Sequence, residues 1–436
     1  MYAIAIDLGT TTLAASLIEP ASGRRLAMTG SLNPQRRFGA DVVSRLDAAI
    51  GSDETLREMS LLIRDELWRL ACGLCEASAI PWNDIQLVAI AGNPAMQHLL
   101  LGLPVRSLAF PPYRPHSTGG TTRSAAELGW QGETPVYIFP SPGGFVGGDT
   151  VAFLYGQMEK QEEKERPIEE KTPPPSTSTL FLDMGTNGEI ALVVGDTVWA
   201  TSAAAGPAFE GGNLSCGMAA LTGAINSVSL ADGRVILTTI GNAAPVGICG
   251  SAAIQTITEL LQLDIIEPGG RLRDSSEIQS NLATRVIRQH DENAFVLHRD
   301  ARHLLVLGQT DIRQIQLAKG AIRAGMDVLA DKACIRFQAL TEVVLTGSFG
   351  AVLQPEWLKT IGIFDEGMLH ITRFTPEGAL NGVERAIIAG DGFASVEQLG
   401  TRFRVVPLSG TPLFEMLFMQ QIDFPGPEKR MPASTK

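Results

Sequence analysis

The segment AIAIDLGTTTLAASLI, residues 3–18, returns in altered form as LFLDMGTNGEIALVV, residues 180–194. Each copy has an apolar run, an aspartate, one apolar residue, a glycine and a threonine, then a second run of strand-forming residues. The alternation in YAIAID predicts a strand that ends near Asp7, and TLAASLIEPASGRRLA predicts a second strand turning near Ser22–Gly23 into a third. A glycine between two closely joined strands permits a tight turn with its backbone N–H groups exposed, and threonine hydroxyls add donors, so the turn suits an anion. An aspartate at the end of the preceding strand repels phosphate directly. It can instead hold a hydrated Mg²⁺ that bridges to phosphate oxygens. A single Asp-x-Gly-Thr is also an ordinary hairpin turn. Two copies in the same strand context predict two jaws, with a nucleoside triphosphate clamped between them.

The chain divides where the second copy begins. Residues 157–179, QMEKQEEKERPIEEKTPPPSTST, hold mixed charges, then a run of three prolines, then serines and threonines, and read as a helix end followed by an exposed linker. The expected organisation is therefore one domain over 1–156, this linker, a second domain over 180–424 whose last helices return to the first, and a frayed tail over 425–436. With 436 residues, 44% of them hydrophobic, there is material for two cores. A net charge of -12 argues against nucleic acid, which needs a basic stripe. No apolar run reaches the length of a bilayer span, and MYAIAID lacks a signal peptide's basic region, so a cytoplasmic location away from membranes is expected.

Five cysteines, Cys72, Cys75, Cys216, Cys249 and Cys334, are too few and too scattered for a disulfide framework. Cys72 and Cys75 have metal-ligand spacing but lie in LIRDELWRLACGLCEAS, whose apolar residues recur at helical intervals. An iron–sulfur cluster normally takes four ligands, so none is expected in this chain.

Asp7, Gly9, Thr10, Thr11 and Thr12 resemble the first phosphate motif of the actin, heat-shock chaperone and sugar-kinase superfamily, and Asp183, Gly185, Thr186, Asn187 and Gly188 resemble the second. EVVLTGSFG, with Gly347, Ser348 and Gly350, is similar to the adenosine motif. More specifically, NPQRRFGADVVSRL (33–46), AGNPAMQHLLLG (91–102), AAGPAFEGGNLSCGM (204–218), GICGSAAI (247–254) and QTDIRQIQLAKGAIRAG (309–325) resemble the ATPase part of reductive activators of corrinoid proteins.

That resemblance implies an α/β fold of two actin-like, ribonuclease H-like domains, each a mixed sheet flanked by helices, with an ATP cleft between them. It implies ATP and Mg²⁺ as ligands, Asp7 and Asp183 at the metal, and a Co(II) corrinoid protein as the partner to be reduced to Co(I). Familiar members carry an iron–sulfur domain or cluster cysteines. With none here, a separate ferredoxin-like donor, a longer parent chain or another task would have to account for the electron. The oligomeric state is open, a homodimer included.

Several further residues are candidates. Asp149, where a helix should begin after GGFVGG, is placed to orient the attacking water or join the metal's shell, or simply to cap that helix. Gly206, Gly211 and Gly212 around Glu210 suggest a supporting phosphate turn, or a loop that only needs glycine. Lys319 and Arg323, four apart on one helix face, either flank the adenine or form an exposed charged face. Asn33, Gln35, Asp41 and Arg45 suggest a polar network, with Arg45 reaching a phosphate or partner, or plain surface polarity. Two other functions stay open: a small-molecule kinase using the same clamp, and a nucleotide-dependent scaffold with little turnover.

Overall fold

Both repeated segments form hairpins, and a sheet grows around each in the same order. The computed structural model describes residues 1–158, 178–347 and 353–426. In the first lobe β1 (Tyr2–Leu8), β2 (Thr12–Glu19) and β3 (Arg24–Leu32) form an antiparallel meander, followed by α1 (Val42–Gly51) and α2 (Asp53–Ala77). β4 (Ile85–Gly92), α3 (Pro94–Leu101), α4 (Arg106–Ala109), β5 (Thr121–Ser124), β6 (Pro135–Ile138) and α5 (Gly148–Gln157) complete it. The second lobe opens with β7 (Ser178–Met184), β8 (Gly188–Val194) and β9 (Thr197–Ala203).

Two three-stranded sheets follow, β10 (Ala224–Ala231), β11 (Arg234–Thr239) and β12 (Gly247–Ile248), then β13 (Val286–Gln289), β14 (Glu292–Arg299) and β15 (Leu304–Gly308), with α6 (Gly250–Gln262) between them. After α7 (Gln309–Ala333) come β16 (Glu342–Thr346), α8 (Pro355–Thr360), β17 (Thr372–Phe374), α9 (Gly378–Ala389), α10 (Ala394–Thr401), β18 (Phe403–Val405) and α11 (Pro412–Gln421).

The main sheets run β3-β2-β1-β4-β6-β5 and β17-β16-β7-β8-β9-β18. In each, the hairpin's first strand pairs antiparallel with the second and parallel with a later strand, β1 with β4 and β7 with β16. Five strands of each sheet thus share one topology, β3-β2-β1-β4-β6 matching β9-β8-β7-β16-β17, while the sixth sits at opposite edges, β5 beside β6 and β18 beside β9. The linker expected over 157–179 is narrower at its edges: α5 runs through Gln157 and β7 starts at Ser178, while 159–177, like most of the tail, lies outside the described residues.

Side-chain size decides how the lobes meet. In β1, Ile4, Ile6 and Leu8 pack into a core with α1, α2 and α3, whereas Ala3 and Ala5 face α5 and α9. In β7, Leu180, Leu182 and Met184 join the core of the second lobe, while Phe181 faces the shared one, beside Ala191 and Ala200 of β8 and β9. Small residues on both inner faces let α5 and α9 lie between the sheets. There the helices cross at contact distance: a Cβ added to Gly382 would lie 1.7 Å from the Ala152 carbonyl oxygen, and one on Gly156 2.9 Å from Gly382 Cα. Arg25 of β3 also grips α9, with Nε 2.7 Å from Glu384 and Nη2 2.7 Å from Asn381. α9 follows a strand of the second lobe yet rests on the first, so it joins both. No described helix is long and apolar enough to cross a membrane.

The crossing predicts a contrast between two glycine substitutions. Gly382→Ala should lower unfolding free energy by about 2 kcal/mol or more through overpacking. Gly73→Ala, exposed within α2 with open space around it, should raise it by about 0.5–1 kcal/mol through helix propensity alone. Urea unfolding of both variants checks this; a neutral Gly382→Ala would mean that the helices do not approach so closely.

Candidate functional site

The two hairpin turns and the N-termini of α5 and α9 surround one cleft of about 240 Å³. Asp7 and Asp183 occupy equivalent places near the ends of β1 and β7, with Asp7 opposite Ala14 and Asp183 opposite Glu189 in the hairpin registers. Gly9, Thr10, Thr11 and Thr12 line one wall and Gly185, Thr186 and Asn187 the other. A Cβ on Gly9 would meet the Thr12 carbonyl oxygen at 2.4 Å, which explains the glycine in a turn this tight.

Buried asparagines brace the first turn. Asn33 donates to the Gly9 carbonyl at 2.9 Å while its backbone N–H bonds the Thr11 carbonyl at 2.9 Å. Asn93, which caps α3 through Met96 N–H, donates to Thr10 Oγ1 at 3.0 Å and leaves that hydroxyl proton to point elsewhere. Behind them, Gln35 and Arg45 are fully buried, Arg45 donating to the Gly39 carbonyl at 3.0 Å and to Met96 Sδ at 3.5 Å. Asn33, Gln35 and Arg45 are therefore internal, Asp41 instead caps α1 by accepting from Ser44 N–H at 2.8 Å, and Arg45 supports the fold instead of reaching a phosphate.

Asp149 lies in the first turn of α5. The N-cap itself is Gly147, and Asp149 Oδ1 accepts from Thr150 N–H at 2.7 Å. The lining also contains Glu189, Glu210 and Glu377, so among the described residues six carboxylates share it with no Lys, Arg or His. Glu377 is paired with Arg25 at 2.6 Å. Burial pushes Asp183 up to about 7, helped by Asp149 and Glu210, and pushes Asp149 up to about 6 against the opposing Thr150 hydrogen bonds. Asp7 and Glu189 are raised well above the carboxylate range, first by burial and then by Asp149 and Asp183. Acids so confined call for positive charge from outside the chain. Among the described residues no three His, Cys, Asp or Glu side chains form a metal cage.

Other expected residues sit elsewhere. Gly188 does not line the cleft and packs on α7, where a Cβ would meet Ile322 Cγ1 at 2.7 Å. Gly206, Gly211 and Gly212 also stay outside the lining, but they hold the loop that brings Glu210 into it. Lys319 and Arg323 require a correction, because both are committed inside the protein. Lys319 is almost fully buried, its Nζ donates to the Asp423 carbonyl, and burial lowers it to about 8. Arg323 pairs with Asp327 at 3.0 Å and Asp365 at 2.9 Å, with Phe337 beneath its guanidinium. They fasten the C-terminal segment and the Asp365 loop to α7, and neither lines the cleft. Gly347 lines it, with φ 128°, while Ser348 and Gly350 lie outside the described residues. Sequence reasoning missed Glu189, Asn93 and Glu377. For Glu189 a signal existed, since a three-residue hairpin loop over Gly185, Thr186 and Asn187 pairs it with Asp183.

Residues 177–435 match the family model described as the C-terminal domain of RACo, the ASKHA domain, and residues 2–161 match the RACo middle region. The chain belongs to the RACo family. Its fold is accordingly the actin-like ASKHA fold, in keeping with the paired mixed sheets. A solved reductive activator for corrinoid, iron–sulfur protein superposes with a TM-score of 0.83 at 27% identity, over 100% of this chain and 68% of that one. Among curated relatives, the corrinoid activation enzyme RamQ of Eubacterium limosum is 29% identical across 97% of this chain and 70% of its own length. The [Co(II) methylated amine-specific corrinoid protein] reductase of Methanosarcina barkeri is 25% identical across 83% of this chain and 65% of its own. All three are longer than this chain.

The carboxylates predict a pH dependence. Groups whose folded pKa lies above the ordinary value favour folding while protonated, and that stability is lost as pH rises through the folded value. Without divalent ions, the cleft's contribution should therefore fall between about pH 4 and about pH 7. Thermal midpoints across that range should show the decline, a shallower decline in Asp183→Asn, and a larger rescue by Mg²⁺ in neutral than in mildly acidic buffer. A flat profile in all three conditions would contradict this electrostatic reading.

Proposed function

We propose that this chain uses ATP with Mg²⁺ to drive reduction of a Co(II) corrinoid protein to Co(I) for methyl transfer, the electron coming from a separate ferredoxin-like donor. The observation that carries the nucleotide half is the cleft itself: two Asp-x-Gly-Thr hairpins from opposite lobes, rich in donors and carboxylates. The corrinoid half rests on family membership and on what the relatives are named for.

Asp7 and Asp183 would hold the ion through carboxylate oxygens or intervening waters. The ion, when bound, offsets the carboxylates and binds phosphate oxygens. Thr10, Thr11, Thr12 and Thr186 donate to the phosphates together with turn N–H groups. Asp149 accepts a hydrogen bond from the attacking water and orients it. Closure around the nucleotide changes the angle between lobes across the α5–α9 crossing, and with it affinity for the corrinoid protein. One electron passes from the reduced donor to Co(II), giving Co(I) and the oxidised donor; hydrolysis drives the conformational cycle.

One observation favours a kinase as the second reading. Another cavity, about 430 Å³, opens between the lobes beside Tyr113, Phe145, Ser202 and Leu408, and Ser202 donates to Glu189 at 3.3 Å. It adjoins the acidic end of the cleft, where an acceptor hydroxyl would sit.

The test mixes this chain with a Co(II) corrinoid protein, a reduced ferredoxin-like protein, ATP and Mg²⁺, following the cobalt absorbance. Co(I) should form only with ATP, and Asp183→Ala should slow it by about hundredfold. Equal reduction without ATP would sink the activator, and a phosphorylated small molecule would move the assignment to the kinase.

A further inference from the structure

A carboxylate of the chain itself occupies the place where the two phosphate turns meet. Thr11 and Thr186 come from different lobes, yet their hydroxyl oxygens lie 2.9 Å apart. Glu210 Oε2 accepts from Thr186 at 2.6 Å and lies 3.5 Å from Thr11 Oγ1. The donors that fit each hairpin for an anion are here turned towards a carboxylate. Glu210 shares the cavity with Asp7, Asp149 and Asp183, no basic side chain among the described residues lines that cavity, and Glu210 helps to raise the pKa of Asp183. Charge alone would drive it out; hydrogen bonds to an ionised acceptor are strong enough to oppose that.

We propose that Glu210 is a tethered competitor for the phosphate seat, bridging the lobes when no nucleotide is present and leaving when phosphate oxygens arrive. The proposal rests on the nucleotide reading of the cleft and adds to it how occupancy is reported. Glu210 ends a short turn, Pro207–Glu210, flanked by Gly206 at φ 76° and Gly211 at φ 82°, a backbone conformation that other residues adopt only with strain. The same loop is keyed to the starts of two helices. A Cβ on Gly250, the first residue of α6, would lie 1.6 Å from the Phe209 carbonyl oxygen. Ser215 donates through its N–H and its hydroxyl to Asp311 in the first turn of α7, each at 2.7 Å. Withdrawal of Glu210 therefore pulls on α6 and α7 and shifts the exposed stretch that includes Asn213 and Leu221. Nucleotide state is read out on the outer surface of the second lobe.

The experiment titrates a non-hydrolysable ATP analogue with Mg²⁺ into wild type, Glu210→Gln and Glu210→Ala, and measures amide exchange over residues 206–217. Glu210→Ala should bind at least about fivefold tighter, with Glu210→Gln isolating the effect of the charge. Loop exchange should quicken when wild type binds the analogue, and should already be fast in unliganded Glu210→Ala. Binding no tighter in Glu210→Ala would overturn the proposal, since Glu210 would then assist the ligand. If no form binds the analogue, the nucleotide reading fails separately and unliganded exchange judges the clasp. A faster loop in Glu210→Ala supports it, and an unchanged loop removes it.

Discussion

Among the described residues, six carboxylates share one cleft with no basic side chain lining it, and the rest of the architecture can be understood from how that arrangement is tolerated. Gathering acids in a partly buried space is costly unless protons or cations enter. The burial that raises Asp7, Asp149, Asp183 and Glu189 is the same burial that, in the proposed function, would keep bulk water from a reacting phosphate. The cleft is held by elements that cannot easily relax: two hairpins braced by buried asparagines and two helices crossing at contact distance. Nucleotide and metal would arrive together or not at all, because neither phosphate alone nor an empty cluster at neutral pH is electrostatically comfortable.

The lobes are coupled through size as much as charge. Alanines on the inner faces of both sheets admit α5 and α9, and glycines at their crossing bring backbone against backbone. α5 begins beside Asp149 and α9 begins with two cleft-lining residues, Gly378 and Ala379; Gly378 N–H is bonded to Thr346 Oγ1 at 3.0 Å. A change in what fills the cleft is therefore applied at the starts of both helices that join the halves. Such an arrangement suits a protein whose output is a change of shape.

Local patterns were legible in the sequence where local physics decides them. Alternation fixed the hairpins that carry Asp7 and Asp183, and helical spacing put Cys72 and Cys75 within α2. Glycines before Asp149 marked a helix start, though the cap proved to be Gly147. Contacts set by tertiary packing were not legible. The i,i+4 spacing of Lys319 and Arg323 says that they share a helix face and nothing about what covers it; Asp365, Asp423 and Phe337 do. Asn33 and Arg45 looked equally suited to a surface until the turn and α3 closed over them. Glu189 becomes a cleft residue only once the hairpin register sets it opposite Asp183.

The central claim is that nucleotide binds this cleft only as its metal complex. Titration calorimetry of ATP into the purified chain, with Mg²⁺ and then with a chelator, tests it most directly. The account predicts stoichiometric binding with Mg²⁺ and affinity at least about hundredfold weaker without it, as expected when phosphates meet uncompensated carboxylates. Equal affinity in the chelator would contradict it, since the phosphates would then be seated by something other than an ion held between Asp7 and Asp183.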